Sequence, residues 1–344
     1  MTPKTLLWLQ SGGCGGCSLS LLNAENPHLL DRLSQSGIDL LWHPSLSESN
    51  GPEFLSLIQS ICEGEQALDI LCLEGSVMMG PNGTGRFHLL SGTDQPMFHW
   101  LQKLAAKAKQ VVAVGSCAAF GGITSAGINI GEATGLQFDS EQPGGLLGDQ
   151  WRSQSDLPVI NIAGCPTHPD WVTETLMLLA ADALDQNQLD EYNRPRFYTD
   201  HLVHHGCPRN EYYEYKASSE KPGDLGCMME HMGCLGTQAR ADCNIRPWNG
   251  TGSCLKGGYA CVNCTAPGFE DSRHSFMETP KLAGIPVGLP TDMPKAWFVA
   301  LASLAKAATP ERLRKNAVAE RLIYPPRKET KSKEVKQKGE GKKR

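Results

Sequence analysis

Apolar residues in the first half of the chain form short, nearly continuous runs, separated by segments in which they recur every three or four positions. Such runs are typical of strands buried on both faces of a sheet, and the intervening spacing is typical of amphipathic helices. The predicted strands are TLLWLQ at 5–10, IDLLWH at 38–43, ALDILCLE at 67–74, QVVAVG at 110–115 and LPVINIA at 157–163. The predicted helices span 19–33, 53–61, 97–109 and 170–184. This alternation predicts an α/β domain with a doubly wound parallel sheet over residues 1–185.

The alternation stops near residue 185, and the rest of the chain divides into two further regions. Residues 186–308 are rich in Gly, Pro, Cys and polar side chains. This composition predicts a loop-rich domain that depends on more than a large apolar core for its stability. TPERLRKNAVAERL at 309–322 predicts a final helix that starts at Thr309-Pro310. Beyond Pro325-Pro326 almost nothing is apolar, which predicts a disordered basic tail.

Cysteine content changes this picture more than length or charge does. The chain has 344 residues and 13 cysteines, and it opens MTPKTLLWLQ without the features of an export signal or a twin arginine. A reducing, cytoplasmic location is therefore expected. An odd cysteine count there favours metal ligation over a disulfide framework. No apolar run approaches the roughly 20 residues that cross a bilayer, so no membrane span is expected.

The charge is distributed unevenly along the chain. The net charge is -5, but nine Lys or Arg and three Glu lie from Arg327 onward, so the preceding body has 23 basic and 34 acidic side chains. An acidic body with a basic tail does not favour a nucleic-acid partner. The tail is either a solvated end without a function or a segment that steers association with a partner.

The loop Ser11-Gly-Gly-Cys-Gly-Gly-Cys-Ser18 follows the first predicted strand. In doubly wound sheets, cofactors bind at the carboxyl ends of the strands, and a Gly-rich loop there usually holds a phosphate. This loop lacks both GxGxxG and Gly-Lys-Ser/Thr, so the nucleotide interpretation is weak. Cys14 and Cys17 instead offer two thiolates to iron or zinc, with a redox-active dithiol as the alternative.

Other cysteines follow other strands at the same edge. One lies in GSCAAFGG after the fourth strand and one in GCPTHP after the fifth. Since the carboxyl ends of parallel strands share one edge, four thiolates are expected to surround one cubane-sized cofactor: Cys14, Cys17, Cys117 and Cys165. The alternative is that the last two are small core residues beside tight turns. Cys62 in a helix and Cys72 within a strand are interpreted as packing residues.

Two more groups of candidate ligands lie in the loop-rich region. The first comprises His204, Cys207, Cys227 and Cys234, and the second comprises Cys243, Cys254, Cys261 and Cys264. On spacing alone, iron–sulfur clusters and structural zinc fit equally well. His205 and His231 are rivals of His204 for the histidine position. The three groups together use eleven of the 13 cysteines and leave Cys62 and Cys72.

The ordered motifs WLQSGGCGGCSLSLL, WHPSLSE, AVGSCAAFGG, NIAGCPTHPDWV, LVHHGCPRNEYYEYKAS, GCMMEHMGC, ADCNIRPWNGTGSC, ACVNCTAPGFE and PTDMPKAWFVALASL carry a resemblance. Residues 4 to about 308 resemble the small, electron-transferring subunit of NiFe hydrogenases, most closely the cytoplasmic regulatory subgroup that senses hydrogen. The resemblance implies a flavodoxin-like sheet domain followed by an iron–sulfur domain, with the NiFe centre on a partner large subunit and no NiFe ligands on this chain.

The resemblance also assigns the three ligand groups to clusters. It implies a proximal cluster facing the NiFe site, held by Cys14, Cys17, Cys117 and Cys165. It implies a distal cluster at the electron exit, held by His204, Cys207, Cys227 and Cys234. It implies a medial cluster between them, held by Cys243, Cys254, Cys261 and Cys264.

Three departures from the family pattern refine these expectations. Many periplasmic relatives have proline at the position of Cys254 and a 3Fe-4S medial cluster, so the cysteine here implies that all three clusters are 4Fe-4S. Gly16 and Gly122 stand where oxygen-tolerant relatives carry additional cysteines, so a six-cysteine proximal cluster is not expected. Six residues separate Cys227 from Cys234, one more than in many exported relatives.

The expected role is that of a hydrogen sensor whose output goes to a histidine kinase through residues 309–344. The alternatives are a cytoplasmic uptake hydrogenase that feeds a quinone or carrier, and a zinc-stapled binding module. Glu74 closes the third strand beside the Cys14 loop. Its carboxylate is interpreted either as a relay for protons or water, or as a helix-start acceptor.

Overall fold

The computed structural model of the chain describes residues 3–25, 28–49, 51–271, 278–282, 285–286, 288 and 294–324. Within these ranges the strands are β1 (Lys4–Gln10), β2 (Ile38–Trp42), β3 (Ile70–Glu74), β4 (Val77–Met78), β5 (Gln110–Val114), β6 (Ala133–Thr134), β7 (Phe138–Asp139), β8 (Gln142–Pro143), β9 (Ile160–Ile162), β10 (Lys281–Leu282) and β11 (Ile285–Pro286). The α-helices are α1 (Gly16–Leu22), α2 (Leu29–Gln35), α3 (Pro52–Glu63), α4 (Met97–Lys107), α5 (Gly115–Phe120), α6 (Pro169–Ala180), α7 (Arg196–Thr199), α8 (Asn210–Glu214), α9 (Lys295–Ala307) and α10 (Glu311–Ala317). Short 3₁₀ helices span Gly122–Ser125, Gln186–Gln188 and Val203–Gly206.

The five long apolar runs form one parallel sheet in the order β2-β1-β3-β5-β9. Numbered by these five strands alone, the order is 2-1-3-4-5, which is that of flavodoxin-like doubly wound folds. The predicted fold class is therefore confirmed. At the carboxyl edge, Gln10 pairs with Glu74, Glu74 with Val114, and Val114 with Ile162. The segments that follow these strands consequently begin side by side.

Alternating residues of the strands bury opposite faces of the sheet. In β1, Leu6 and Trp8 belong to an apolar cluster with α1, α2 and α6. Leu7 and Leu9 belong to a second cluster with α3, α4 and α5. Because side chains of a strand alternate between its two faces, a run without polar residues is required where both faces are covered.

The predicted helix over 19–33 is wrong as a single element. The structure has two helices here, α1 at Gly16–Leu22 and α2 at Leu29–Gln35. The sequence between them contains Pro27, which lacks the N–H that a helix interior needs. The apolar spacing continues across that proline, although a single helix does not.

The chain after residue 185 packs onto the first apolar cluster. Val203, Met228, Ala239, Leu255 and Ala260 share this cluster with residues of the sheet. The described elements over 186–271 are the short helices α7 and α8 and two 3₁₀ helices, in agreement with a loop-rich region. The ligand candidates of this region are thus held against the sheet domain.

Two helices complete the described chain. The predicted helix over 309–322 is observed as α10, which ends earlier, at Ala317. Leu313 and Ala317 are buried against Ala217. The predicted basic tail beyond Tyr324 lies outside the described residues. Among the described helices, none is both long and apolar enough to cross a membrane.

Candidate metal centres

The Cys14 loop is tied to the neighbouring strand end by the backbone. The Gly12 N–H donates to the Ser76 carbonyl at 2.9 Å, and the Ser76 N–H donates to the Gly12 carbonyl at 2.7 Å. Gly15 has a φ of 74°, in the left-handed region, and α1 starts directly after it. Cys14 is exposed and Cys17 is half-buried in the first turn of α1. The loop therefore presents both thiols at the sheet edge.

Glu74 holds the first turn of α1 through both carboxylate oxygens. Oε1 accepts the backbone N–H groups of Cys17 and Ser18, each at 3.0 Å. Oε2 accepts Gln10 Nε2 at 3.0 Å, Trp8 Nε1 at 3.3 Å and the Ser18 hydroxyl. The side chain is 3% exposed. These contacts correspond to a helix-start acceptor, and a role in proton relay stays a prediction.

Cys117 reaches the same edge from α5, which starts directly after β5. Gly115 has a φ of 86°, and a Cβ there would lie 2.5 Å from the Cys17 sulfur. Gly122 has a φ of 55°, and a Cβ there would lie 2.9 Å from the Cys117 sulfur and 2.8 Å from the Cys117 nitrogen. The two glycines leave a cradle around the thiols that any side chain would fill.

The loops that carry the four thiols of this group approach one another closely, since a Cβ at Gly16 would lie 3.1 Å from the Cys14 sulfur and 3.7 Å from the Cβ of Pro166. Burial raises the pKa of Cys17 most, and Glu74 and the nearby thiols of Cys117 and Cys165 raise it further. Burial, with Cys117 and Cys14 among its neighbours, raises the pKa of Cys165 to about 12. Thiols held so close together in a partly buried site need nearby positive charge to ionise. A positively charged cluster core would supply that charge, so the donor set suits a bound metal cluster.

The second group lines a small cavity in the loop-rich region. His204, Cys207, Cys227 and Cys234 all contribute to its wall. Burial raises the pKa of Cys227 to about 12, with the thiols of Cys234 and Cys207 acting in the same direction. The His204 ring packs edge-on against Tyr213, with the centroids 4.2 Å apart. The structure therefore brings together the four predicted side chains of this group.

The two rival histidines lie elsewhere. His205 is exposed, and its Nδ1 accepts the Leu202 N–H at 3.3 Å. His231 Nδ1 lies 3.0 Å from Lys281 Nζ, and its Nε2 lies 3.9 Å from Glu230. Neither side chain contributes to the wall of the cavity that holds His204. Among the described residues, His204 is the histidine that the geometry favours.

The third group lines a larger cavity of about 360 Å³. Its wall contains the four predicted cysteines, Cys243, Cys254, Cys261 and Cys264, together with Cys165 of the first group. Burial, and then neighbouring thiols, raise the pKa of Cys243 to about 12. Burial also raises the pKa of Cys264 to about 11. The donor set and the space agree with one further cluster.

Shared walls and close contacts connect the three groups in series. Cys165 lies in the wall of the cavity of the third group, which joins the first group to the third. A Cβ at Gly236 would lie 3.5 Å from the Cys234 sulfur and 3.7 Å from the Cys261 Cβ, which joins the third group to the second. The thiols therefore form a row in the order that the resemblance implies for proximal, medial and distal clusters.

Ser116 also belongs to this arrangement, although its sequence context does not predict it. Its hydroxyl donates to the Cys264 carbonyl at 2.5 Å and accepts the Gly164 N–H at 2.9 Å. One buried side chain thus holds together the loops that carry Cys117, Cys165 and Cys264. A hydroxyl beside a cysteine is too common in sequences to indicate such a link. In addition, 148 positions separate Ser116 from Cys264, so no local pattern connects them.

The two remaining cysteines have surroundings unlike those of the ligand groups. Cys72 is buried within β3 among core residues, and Cys62 packs from α3 against the other core cluster.

Among the residues that the structure describes, no three His, Cys, Asp or Glu side chains converge as one metal ion would require. Zinc–thiolate bonds are about 2.3 Å long, whereas the ligands of a cubane bind different iron atoms and stand further apart.

Comparisons with known proteins agree with this arrangement. Residues 14–179 match the family described as NADH ubiquinone oxidoreductase, 20 Kd subunit, and residues 199–277 match the C-terminal family of the NiFe/NiFeSe hydrogenase small subunit. The F420 non-reducing hydrogenase II small subunit of Methanosarcina mazei is 36% identical over 79% of this chain and 75% of its own length. The periplasmic [NiFeSe] hydrogenase small subunit of Desulfomicrobium baculatum is 31% identical over 79% of this chain and 86% of its own length.

A solved structure extends the likeness to three dimensions. A chain of the actinobacterial-type NiFe-hydrogenase from Ralstonia eutropha H16 superposes with a TM-score of 0.73 at 30% identity. The match covers 91% of this chain and 93% of that one. The chain therefore belongs to the small-subunit family of NiFe hydrogenases, whose members are the electron-transferring components of these oxidoreductases.

Proposed function

We propose that this subunit relays electrons from the NiFe centre of a partner large subunit through three 4Fe-4S clusters. The twelve predicted side chains would hold them, with the proximal and distal groups on either side of the medial one. The observation that carries the proposal is the pair of close approaches that joins the groups, with Cys165 in the wall of the Cys264 cavity and Cys261 beside Cys234 at Gly236. The groups are thus close neighbours in a single row.

A row of clusters suits the transfer of electrons released from hydrogen. Cleavage of hydrogen releases two electrons and two protons, and iron–sulfur clusters, when bound, carry electrons singly. Backbone N–H groups that point at sulfur stabilise added negative charge. Here the N–H of Arg209 donates to the Cys207 sulfur at 3.4 Å, and the N–H of Gly16 to the Cys14 sulfur at 3.4 Å. The chain supplies the surroundings that set the potentials.

The surface around the proximal group supports a partner there. Large apolar side chains are exposed on the segments that flank this edge: Leu19, Phe87, Ile123, Ile128 and Ile130. Ile128 is 89% exposed and Ile130 is 76% exposed. Apolar exposure on this scale marks a surface for protein association. We assign this face to the large subunit, across an extensive interface.

For the downstream role, we propose a cytoplasmic hydrogen sensor that signals to a histidine kinase. The support is the position of the C-terminal segment. The Gly226 N–H donates to the Ala317 carbonyl at 2.9 Å, and the Leu225 N–H donates to the Ala319 carbonyl at 3.0 Å. The end of α10 is therefore joined to the residues directly before Cys227 of the distal group. A kinase that contacts α10 would lie beside the electron exit.

The rival role is a cytoplasmic uptake hydrogenase whose acceptor is a quinone or carrier. Anoxic purification followed by mass spectrometry of the bound proteins distinguishes the two roles. The sensor proposal predicts a large subunit together with a kinase. Deleting residues 325–344 should then weaken kinase binding, most strongly at low salt where charges are least screened, and leave hydrogen oxidation intact. Recovery of a quinone-linked cytochrome in place of a kinase would contradict the sensor role.

A further inference from the structure

A cavity of about 210 Å³ lies beside the distal group, between α8 and α9. Its wall includes Cys227, a predicted ligand, together with Tyr213, Lys216, Glu230, Phe298 and Lys306. We name it the Lys216 pocket after the side chain that distinguishes it. It is smaller than the range of about 300–1,000 Å³ that is usual for drug-sized ligands, which suits a molecule of one or two fused rings.

The pocket has an aromatic wall with an ammonium group across it. Lys216 Nζ lies 3.8 Å from the centroid of the Tyr213 ring and 4.3 Å from that of Phe298. The two rings are 6.5 Å apart and tilted by 34°. Aromatic faces stabilise a cation that has lost part of its water. Since the ammonium group covers these faces, a planar ligand in the cavity would pack beside it against the edges of the rings.

The two lysines of the pocket differ in their partners. Lys306 Nζ donates to Glu230 Oε1 at 2.8 Å, and Ser218 donates to the other oxygen of that carboxylate at 2.6 Å. Among the described residues, no carboxylate lies within ion-pair distance of Lys216. Its ammonium group is half-buried over the two rings, and the carboxylates of Glu230 and Glu214 act on it only from beyond ion-pair distance. An anionic or carbonyl oxygen of a ligand would complete this site.

The backbone at Lys216 supports a specific placement. Its φ is 54°, in the left-handed region that a side chain with a Cβ adopts only at a cost. This conformation follows directly after the C-terminus of α8 and carries the side chain over the two rings. The Ala217 N–H donates to the Tyr212 carbonyl at 2.9 Å and the Lys216 N–H to the Tyr213 carbonyl at 3.1 Å, so the conformation belongs to the Schellman motif that ends α8.

We propose that the Lys216 pocket binds a planar aromatic electron acceptor that carries an anionic or carbonyl oxygen. The ring packs beside the ammonium group against the edges of Tyr213 and Phe298, and the oxygen accepts a hydrogen bond from Lys216. The inference rests on the proposed electron relay and not on the sensor role, since Cys227 in the wall puts the acceptor next to the electron exit. For a quinone-type acceptor, hydrogen is oxidised to two protons and two electrons, and the acceptor takes up two electrons and two protons to become a hydroquinone.

The test uses the anoxically purified complex and the probe 1,4-naphthoquinone-2-sulfonate. Calorimetric titration of the oxidised complex measures binding without turnover. Hydrogen-driven reduction of the probe is measured beside that of methyl viologen, a dication with no oxygen to accept a hydrogen bond. Lys216→Met removes the ammonium group, and Ala302→Trp fills the pocket from α9. Lys103→Met is the matched control, because Lys103 also lies over an aromatic ring, that of Trp100, but on α4.

We expect Lys216→Met to weaken probe binding at least about tenfold, as the loss of one charge-assisted hydrogen bond implies. The ratio of probe to viologen reduction should fall in the same proportion. Ala302→Trp should abolish binding, and Lys103→Met should behave as wild type. Wild-type binding by both pocket variants, or no binding by the wild type, would overturn the inference. If hydrogen reduces neither acceptor, the relay proposal fails, while the titration still tests the pocket.

Discussion

Replacement of Glu74 separates its two interpretations, as a helix-start acceptor and as a proton relay. The carboxylate accepts hydrogen bonds from the backbone N–H groups of Cys17 and Ser18 and from the indole N–H of Trp8, and all three residues are buried or half-buried. Glu74→Ala leaves these three donors without an acceptor. Each unsatisfied buried donor costs about 1–3 kcal/mol, so at least about 3 kcal/mol is lost at the turn that carries Cys17.

Glu74→Gln is a milder change. Its carbonyl oxygen can still accept from Cys17 and Ser18, but its NH₂ group would face the donors Trp8 Nε1 and Gln10 Nε2. The expected cost is about 1–3 kcal/mol, because one side of the site pairs donor with donor. We therefore expect the loss of iron to increase from wild type to Gln to Ala.

The assay measures the iron content of the purified heterodimer. It also measures the rate at which the heterodimer catalyses exchange between hydrogen gas and deuterated water. Glu74→Ala should lose about four irons, the content of one cubane. Asp69→Ala is the matched control. Asp69 is another buried carboxylate, which accepts the Thr5 N–H at 2.9 Å, but it precedes β3 at the opposite edge of the sheet. This control should lower thermal stability without selective loss of iron.

Full iron content in Glu74→Ala would refute the helix-start role. Full iron content in Glu74→Gln together with exchange slowed more than about tenfold would instead establish the proton relay, since a tenfold change in rate corresponds to about 1.4 kcal/mol in the barrier. If Glu74 serves only as a helix-start acceptor, the rate of catalysed exchange in Glu74→Gln should fall in proportion to the iron that this variant loses.

Two further substitutions address the medial group. Cys254→Pro should leave three thiolates and a 3Fe-4S signal in the electron paramagnetic resonance spectrum of the oxidised protein, with the fold retained. An unchanged spectrum would show that Cys254 is not a ligand. Ser116→Ala removes the hydroxyl that joins Gly164 to Cys264. Freeze-quench spectra after addition of hydrogen should then show reduction of the proximal cluster at the wild-type rate and slower reduction of the medial cluster. If the medial cluster is also reduced at the wild-type rate, Ser116 does not couple the two clusters.

The sequence was most informative about features that neighbouring residues determine, such as strands and the loops that follow them. Each strand buried on both faces needs a continuous apolar run, so all five strands of the sheet were found. The cysteines that follow them were expected at one edge because parallel strands end together. The first helix was misjudged because apolar spacing continues across Pro27.

The features that the sequence did not reveal depend on contacts between distant positions. Ser116 bonds to a residue 148 positions away. The sequence offered two roles for Glu74 but did not reveal its hydrogen bond to Cys17, 57 positions away. The choice of His204 over His205 also depended on tertiary packing, because adjacent positions in a 3₁₀ helix point in different directions. The Lys216 pocket joins side chains from four separated segments, and no local pattern indicates it.

The central claim is that three 4Fe-4S clusters lie in a row on this chain. Its most direct test is the iron and acid-labile sulfide content of the anoxically purified complex, with spectra before and after hydrogen. Three cubanes predict about twelve irons and twelve sulfides per small subunit, beyond the iron of the large subunit, and reduction of the clusters by hydrogen. A colourless protein that holds zinc at these cysteines would contradict the claim.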